Sequence, residues 1–168
     1  MKVKIPEGVS VSIDGSKFIV KGKSVSLEKP FNPLMTTLKV EGNEVDVSIV
    51  GKPNKKKNAI ANAVVSHLKN MIHGTSHEFE KKLKLVFAHF PVTLEVKGNQ
   101  MLIKNFLGEK TPRTAVISAG VKVQAKGADV TVSGHDKELV GQTAANIIKA
   151  TRVTNRDERI FQDGIYHA

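Results

Sequence analysis

The residues with the most chemistry to offer are His67, His73 and His77, a run of imidazoles of the kind that holds metal ions. They lack i, i+4 spacing within one helix, because Gly74 interrupts them, so no metal site is assigned. His67 is expected to pack beside a helix. His73 and His77 fall at its exit, where protonated rings could touch phosphate.

Gly108-Glu109-Lys110-Thr111 has the outline of a phosphate-binding loop, but Glu109 separates glycine from lysine and no glycine stands five residues before Gly108. Asp157, Glu158 and Asp163 could form a pair of acid-base carboxylates. They sit among Arg152, Arg156 and Arg159, where ion pairing accounts for them. No serine lies in a nucleophile elbow, and the absence of cysteine excludes disulfides, thiolate metal sites and cysteine nucleophiles together. These residues specify no enzyme, cofactor or metal.

Cations are more informative. The chain carries 26 Lys and Arg against 16 Asp and Glu, a formal charge of +10, which gives a field that attracts polyanions and makes nucleic acid the leading partner class. Cutting after Lys82 leaves +6 and +4 on the two parts, so neither is a mere basic tail. Lys52, Lys55, Lys56 and Lys57 precede or open a predicted helix, where the macrodipole is already positive, and an external anion would relieve that conflict. The segment from Lys104 to Arg113 combines Lys104, Lys110 and Arg113 with the apolar pair Phe106 and Leu107, and reads either as an exposed basic loop or as a packed strand connection. Lys149, Arg152, Arg156 and Arg159, followed by Phe161, Gly164 and Tyr166, make the third candidate surface, since arginine suits bidentate phosphate contact. The acids in that stretch reduce its charge to +1, so a self-paired, solvated tail competes with this reading.

The elements that must position these residues come from a duplication. A constant shift of 83 positions lays Gly15 on Gly98, Lys21 on Lys104 and Gly51 on Gly134, and also Lys39-Val40 on Lys122-Val123 and Asp46-Val47 on Asp129-Val130. In each copy an alternating segment (Val9, Val11, Ile13) meets a turn at Asp14-Gly15 and resumes at Phe18-Ile19-Val20, the pattern of a β-hairpin. Leu38 to Val40 and Val45 to Ile49 flank the turn Glu41-Gly42-Asn43-Glu44. Helical spacing follows at Ile60, Val64, Leu68, Met71 and Ile72, with Gly74 placed to end the helix, and at Val140, Ala144, Ile147 and Ile148 in the second copy. The expected fold is therefore α+β, with two tandem duplicated domains over residues 1–82 and 83–168, each a small, largely antiparallel sheet packed on one helix. Phe79, Leu83, Leu85 and Phe87 alternate with charges, which predicts an extended connection that holds the modules fairly rigidly. The start of the chain lacks the apolar core of a signal peptide and no apolar run is long enough to span a bilayer, so the cytoplasm is the expected location, with no membrane partner.

Two stretches carry a family resemblance: His67-Leu68-Lys69-Asn70-Met71-Ile72-His73-Gly74, continuing to Val86-Phe87-Ala88-His89-Phe90-Pro91, and Arg156-Asp157-Glu158-Arg159-Ile160-Phe161-Gln162-Asp163-Gly164-Ile165-Tyr166. With Gln142 to Ile147, they make the chain resemble the sixth large-subunit ribosomal protein in its archaeal and eukaryotic form. The resemblance implies two related α+β domains bound to large-subunit ribosomal RNA near the base of the factor-binding stalk and the sarcin-ricin loop. It also implies neighbouring ribosomal proteins, translation factors close by, and no reaction. The expected RNA contacts are Lys52, Lys55, Lys56, Lys57, Lys104, Lys110, Arg113, Lys149, Arg152, Arg156, Arg159 and Tyr166. The closing motif carries onto Arg156, Arg159, Phe161, Asp163, Gly164 and Tyr166 without saying which of these touch RNA and which pack. A free RNA chaperone or regulator is the alternative reading.

Overall fold

The computed structural model describes residues 1–22, 25–88, 90–157 and 159–168. His89 and Glu158, both part of the motifs above, lie outside the described residues. The chain divides into two compact units, Met1–Glu78 and Phe79–Ala168.

In the first unit the hairpin of β2 (Ser10–Asp14) and β3 (Lys17–Lys21) forms as expected, and β4 (Ser26–Pro30) adds to β3. A second hairpin, β5 (Thr36–Glu41) with β6 (Glu44–Ile49), is completed by β1 (Lys2–Lys4). The strands thus divide between two three-stranded antiparallel sheets, and the helix α1 (Lys55–Ser76) packs on both. Phe18 and Val20 of one sheet and Val45 and Val47 of the other meet Ala61, Val64 and Leu68 of α1 in a single buried cluster. Gly74 does not end α1: the helix runs two residues further, and His77 closes it in an extended conformation with its N–H on the His73 carbonyl. Gly74 is buried inside the helix, its neighbours Ile72 and Thr75 are buried as well, and tertiary packing outweighs the weak helical propensity of glycine.

The second unit repeats the plan with additions. β8 (Thr93–Lys97), β9 (Gln100–Lys104) and β10 (Arg113–Val116) form one sheet, and β11 (Val121–Lys126) and β12 (Asp129–Gly134) belong to another. The latter continues through β7 (Phe79–Val86) to the closing strand β13 (Gly164–His167), and the helix α2 (Lys137–Ala150) packs on these strands and on β10. The expected boundary after Lys82 falls inside β7.

The shift of 83 holds for the first hairpins, where Ser10 faces Lys21 as Thr93 faces Lys104, and for the helices, where Ala61 and Val64 are buried as Ala144 and Ile147 are. In the second hairpins, however, Val45 faces Val40 as Val130 faces Ala125, so the equivalent positions lie 85 apart. A slip of two residues leaves every inward side chain inward, because strand side chains alternate with period two, and so it is invisible to a pattern of apolar alternation. The apparent matches of Val40 with Val123 and Val47 with Val130 are therefore not structural equivalences.

Candidate nucleic-acid interface

The lysine cluster is set by the entry to α1. Asn54 is the N-cap, its side chain accepting the Lys57 N–H at 2.8 Å, and the first turn contains no acid. Lys57 is drawn back onto the Val50 carbonyl at 2.7 Å. Lys52, Lys55 and Lys56 are exposed and have no side-chain partner among the described residues. Three ammonium groups are thus gathered where the free N–H groups of the helix already favour an anion. The second copy solves the same problem internally: Asp136 caps α2 through the Glu138 N–H at 2.8 Å, and Glu138 supplies the first-turn acid.

The segment between β9 and β10 turns out to be a packed connection. Phe106 and Leu107 are buried with Ile103 and Val153, and Leu107 is held at a φ of 51° that leucine rarely adopts. Arg113 lies with its guanidinium 4.5 Å from the Phe106 ring centroid. Its Nε donates to one Glu109 carboxylate oxygen at 2.8 Å and its Nη2 to the other. Its Nη1 donates to the carbonyls of Ala150 (3.2 Å), the last residue of α2, and Arg152 (2.9 Å), just beyond it. The bidentate hydrogen bond from Arg113 holds the Glu109 carboxyl below the usual carboxylate range against the opposing effect of burial, and raises the arginine in turn. Arg113 is therefore a structural clamp, with four of its five N–H donors already committed. Lys104 is similarly engaged, 2.6 Å from Glu95, and its hydrogen bond lowers that carboxyl. Lys110 stays exposed.

The closing stretch is docked, not a free tail. Thr151 Oγ1, buried, accepts the Ile165 N–H at 3.0 Å, and β13 pairs along β7 from Gly164 opposite Val86 to His167 opposite Leu83. Ion pairing does not account for its acids among the described residues. Asp157 caps a turn by accepting the Arg159 N–H at 2.9 Å, while Asp163, 1% exposed, accepts the Ala88 N–H at 3.2 Å through one oxygen. Arg156 stacks over Phe161 at 4.9 Å. Lys149 and Arg152 at the end of α2 line one cleft together with Tyr166 of β13, a grouping of three expected residues that are distant in sequence. The cleft's apolar wall joins Ile148, which belongs to the helical stripe already legible in the sequence, to Ala145, which was not singled out there; the available signal was the i, i+3, i+4 spacing of Ala145, Ile148 and Lys149 on one helical face. The histidines lie apart from one another in role: His67 Nδ1 is 3.3 Å from Lys29 Nζ, the His73 and His77 rings are 5.3 Å apart and tilted by 45°, and no group of three or more potential metal-holding side chains occurs among the described residues.

Comparison with known proteins places this geometry in context. The sequence profile described as "Ribosomal protein L6" matches both halves, over residues 5–78 and 90–164. Proteins named "Large ribosomal subunit protein uL6" are 48% identical in Methanosphaera stadtmanae, 47% in Methanococcus vannielii and 46% in Aeropyrum pernix. Each alignment covers 98% of this chain and, respectively, 89%, 90% and 91% of the relative.

Proposed function

The chain belongs to the ribosomal protein L6 family, and from that premise we propose that it is a non-catalytic, RNA-binding building block of the large ribosomal subunit, acting in translation in the cytoplasm. The observation that carries the reading is the cluster of Lys52, Lys55 and Lys56 at the entry to α1, exposed and without a side-chain partner among the described residues, which suits it to supply countercharge to phosphate. Its partners are large-subunit ribosomal RNA and neighbouring ribosomal proteins.

The mechanism is passive. Lysines and arginines neutralise phosphates and release counterions, while the folded units fix where those charges stand. The contacts we assign are Lys52, Lys55, Lys56 and Lys110, with Lys149, Arg152, Arg156, Arg159 and Tyr166 from the second unit. Lys57, Lys104 and Arg113 act through the structure they hold. The likeness of the closing motif Arg156 to Tyr166 to the family pattern supports a finer placement, near the base of the factor-binding stalk and the sarcin-ricin loop, with translation factors nearby. No helix among the described residues is long and apolar enough to cross a membrane.

Sedimentation of a cell lysate tests the proposal: the chain should travel with large subunits and remain on them at near-physiological salt. Recovery only at the top of the gradient, free of particles, would remove it.

A further inference from the structure

The cleft between the end of α2 and β13 has a shape that phosphate neutralisation alone does not require. Its volume is about 590 Å³, within the roughly 300–1,000 Å³ of pockets that take small ligands. Ala145 and Ile148 form an apolar wall, Lys149 and Arg152 stand beside them, and no acid lines it among the described residues.

Tyr166 supplies an aromatic surface that is already fixed in place. Its Oη donates to the Gln162 carbonyl at 3.1 Å, and its ring lies so close to Gly164 that a Cβ there would meet two ring carbons, Cε2 and Cζ, and the hydroxyl oxygen, each at 3.2 Å. Glycine at 164 is therefore what lets the ring lie down against the backbone. Tyr166 as a residue is nevertheless 48% exposed, which leaves surface for a ligand to cover. An anchored ring loses little freedom on binding, and a base can stack on it with few constraints on which base it is.

We propose that this cleft receives one unpaired nucleotide of the bound RNA, its base on the Tyr166 ring and against Ala145 and Ile148, and its flanking phosphates on Lys149 and Arg152. The inference rests on the RNA-binding reading above and adds to it a base-contacting site. A base can be presented this way only where it is splayed out of a helix, as in a bulge, loop or end. The cations without a lining acid favour this occupant over a segment of neighbouring protein, which would bring no compensating phosphate.

Short-wavelength ultraviolet crosslinking of the full chain to large-subunit ribosomal RNA, followed by trypsin and mass spectrometry, tests it. The expected result is a nucleotide adduct in the peptide of residues 160–168, with fragmentation placing it on Tyr166. Ala145→Trp, which fills the cleft from an exposed helical position, should abolish the adduct and weaken binding about tenfold, the scale of one stacked base, with the salt dependence of binding retained. Tyr166→Phe should keep the adduct, because the ring remains. RNA binding without an adduct in this peptide overturns the proposal, as does an Ala145→Trp chain that crosslinks like the parent. If the parent chain does not bind the RNA at all, the RNA-binding reading itself falls, and the cleft's role with it.

Discussion

Thr151 and Ile165 are joined by one hydrogen bond, the Ile165 N–H donating to Thr151 Oγ1 at 3.0 Å while that hydroxyl donates to the Ile148 carbonyl at 3.0 Å. A single buried side chain thus ties the last turn of α2 to β13, and sets the spacing between Lys149 and Arg152 on one side and Tyr166 on the other. Thr151→Val keeps the shape but strands the Ile165 N–H without an acceptor. Urea unfolding should show a loss of about 1–3 kcal/mol, the cost of an unsatisfied buried donor. An unchanged midpoint would mean that β13 is held by its pairing with β7 alone.

Gly22 meets Thr75 at the end of α1 so closely that an added Cβ would lie 2.7 Å from the threonine Cβ and 3.1 Å from its carbonyl oxygen. Thr75 is buried, with its hydroxyl on the Ile72 carbonyl at 2.8 Å, and has little room to retreat. Gly22→Ala should therefore cost about 1–3 kcal/mol by overpacking, measured as a fall in thermal midpoint. A midpoint equal to or above that of the parent would contradict this packing.

Glu109 and Arg113 give a pH dependence of defined sign. The arginine lowers the Glu109 carboxyl from its ordinary 4.5, so the pair's contribution is fully present above that value and is lost as pH falls through the lowered value of the folded state. Glu109→Gln should thus be less stable than the parent at neutral pH, with the gap closing in strong acid. A stability difference that stays constant across the acid range would show that the carboxylate charge contributes nothing.

Much of this arrangement was legible in the sequence. Gly15 and Gly42 marked the hairpin turns because a two-residue turn there needs positive φ, and both glycines have it, at 56° and 59°. The apolar stripe of α1 was legible for a similar reason, although its deepest point at the start is Ala61, one residue beyond Ile60. The strands β1, β4 and β13 were not legible: Lys-Val-Lys and Gly164–His167 are short, Ser26–Pro30 carries Leu27 as its one apolar residue besides the proline, and all three are strands because a neighbouring edge pairs with them. In the candidate interface, the lysines at α1 stood out because they oppose the helix dipole. For Arg113 the sequence left an exposed loop and a packed connection both open, since its carbonyl partners at Ala150 and Arg152 reach it only through the fold.

Charge reversal at the entry to α1 separates structural from RNA-binding roles by giving them opposite signs. In Lys55→Glu/Lys56→Glu the new acids complement the macrodipole, worth about 0.3–1 kcal/mol each, so the fold should be unharmed or gain stability. RNA affinity should fall, and every phosphate that is no longer neutralised should make the slope of log K against log salt shallower by about 0.7–0.9. A variant with unaltered affinity and slope would remove this cluster from the binding surface. The same titration with Arg156→Glu/Arg159→Glu tests the closing stretch.

Chemical footprinting of large-subunit ribosomal RNA, with and without the chain at near-physiological salt, is the most direct examination of whether these cations are countercharges for a folded RNA. Protection should appear in discrete segments near the factor-binding face and should fade at sites touched by Lys52, Lys55 and Lys56 when those residues are reversed. Diffuse protection that any RNA of similar length competes away, or none at all, would contradict it.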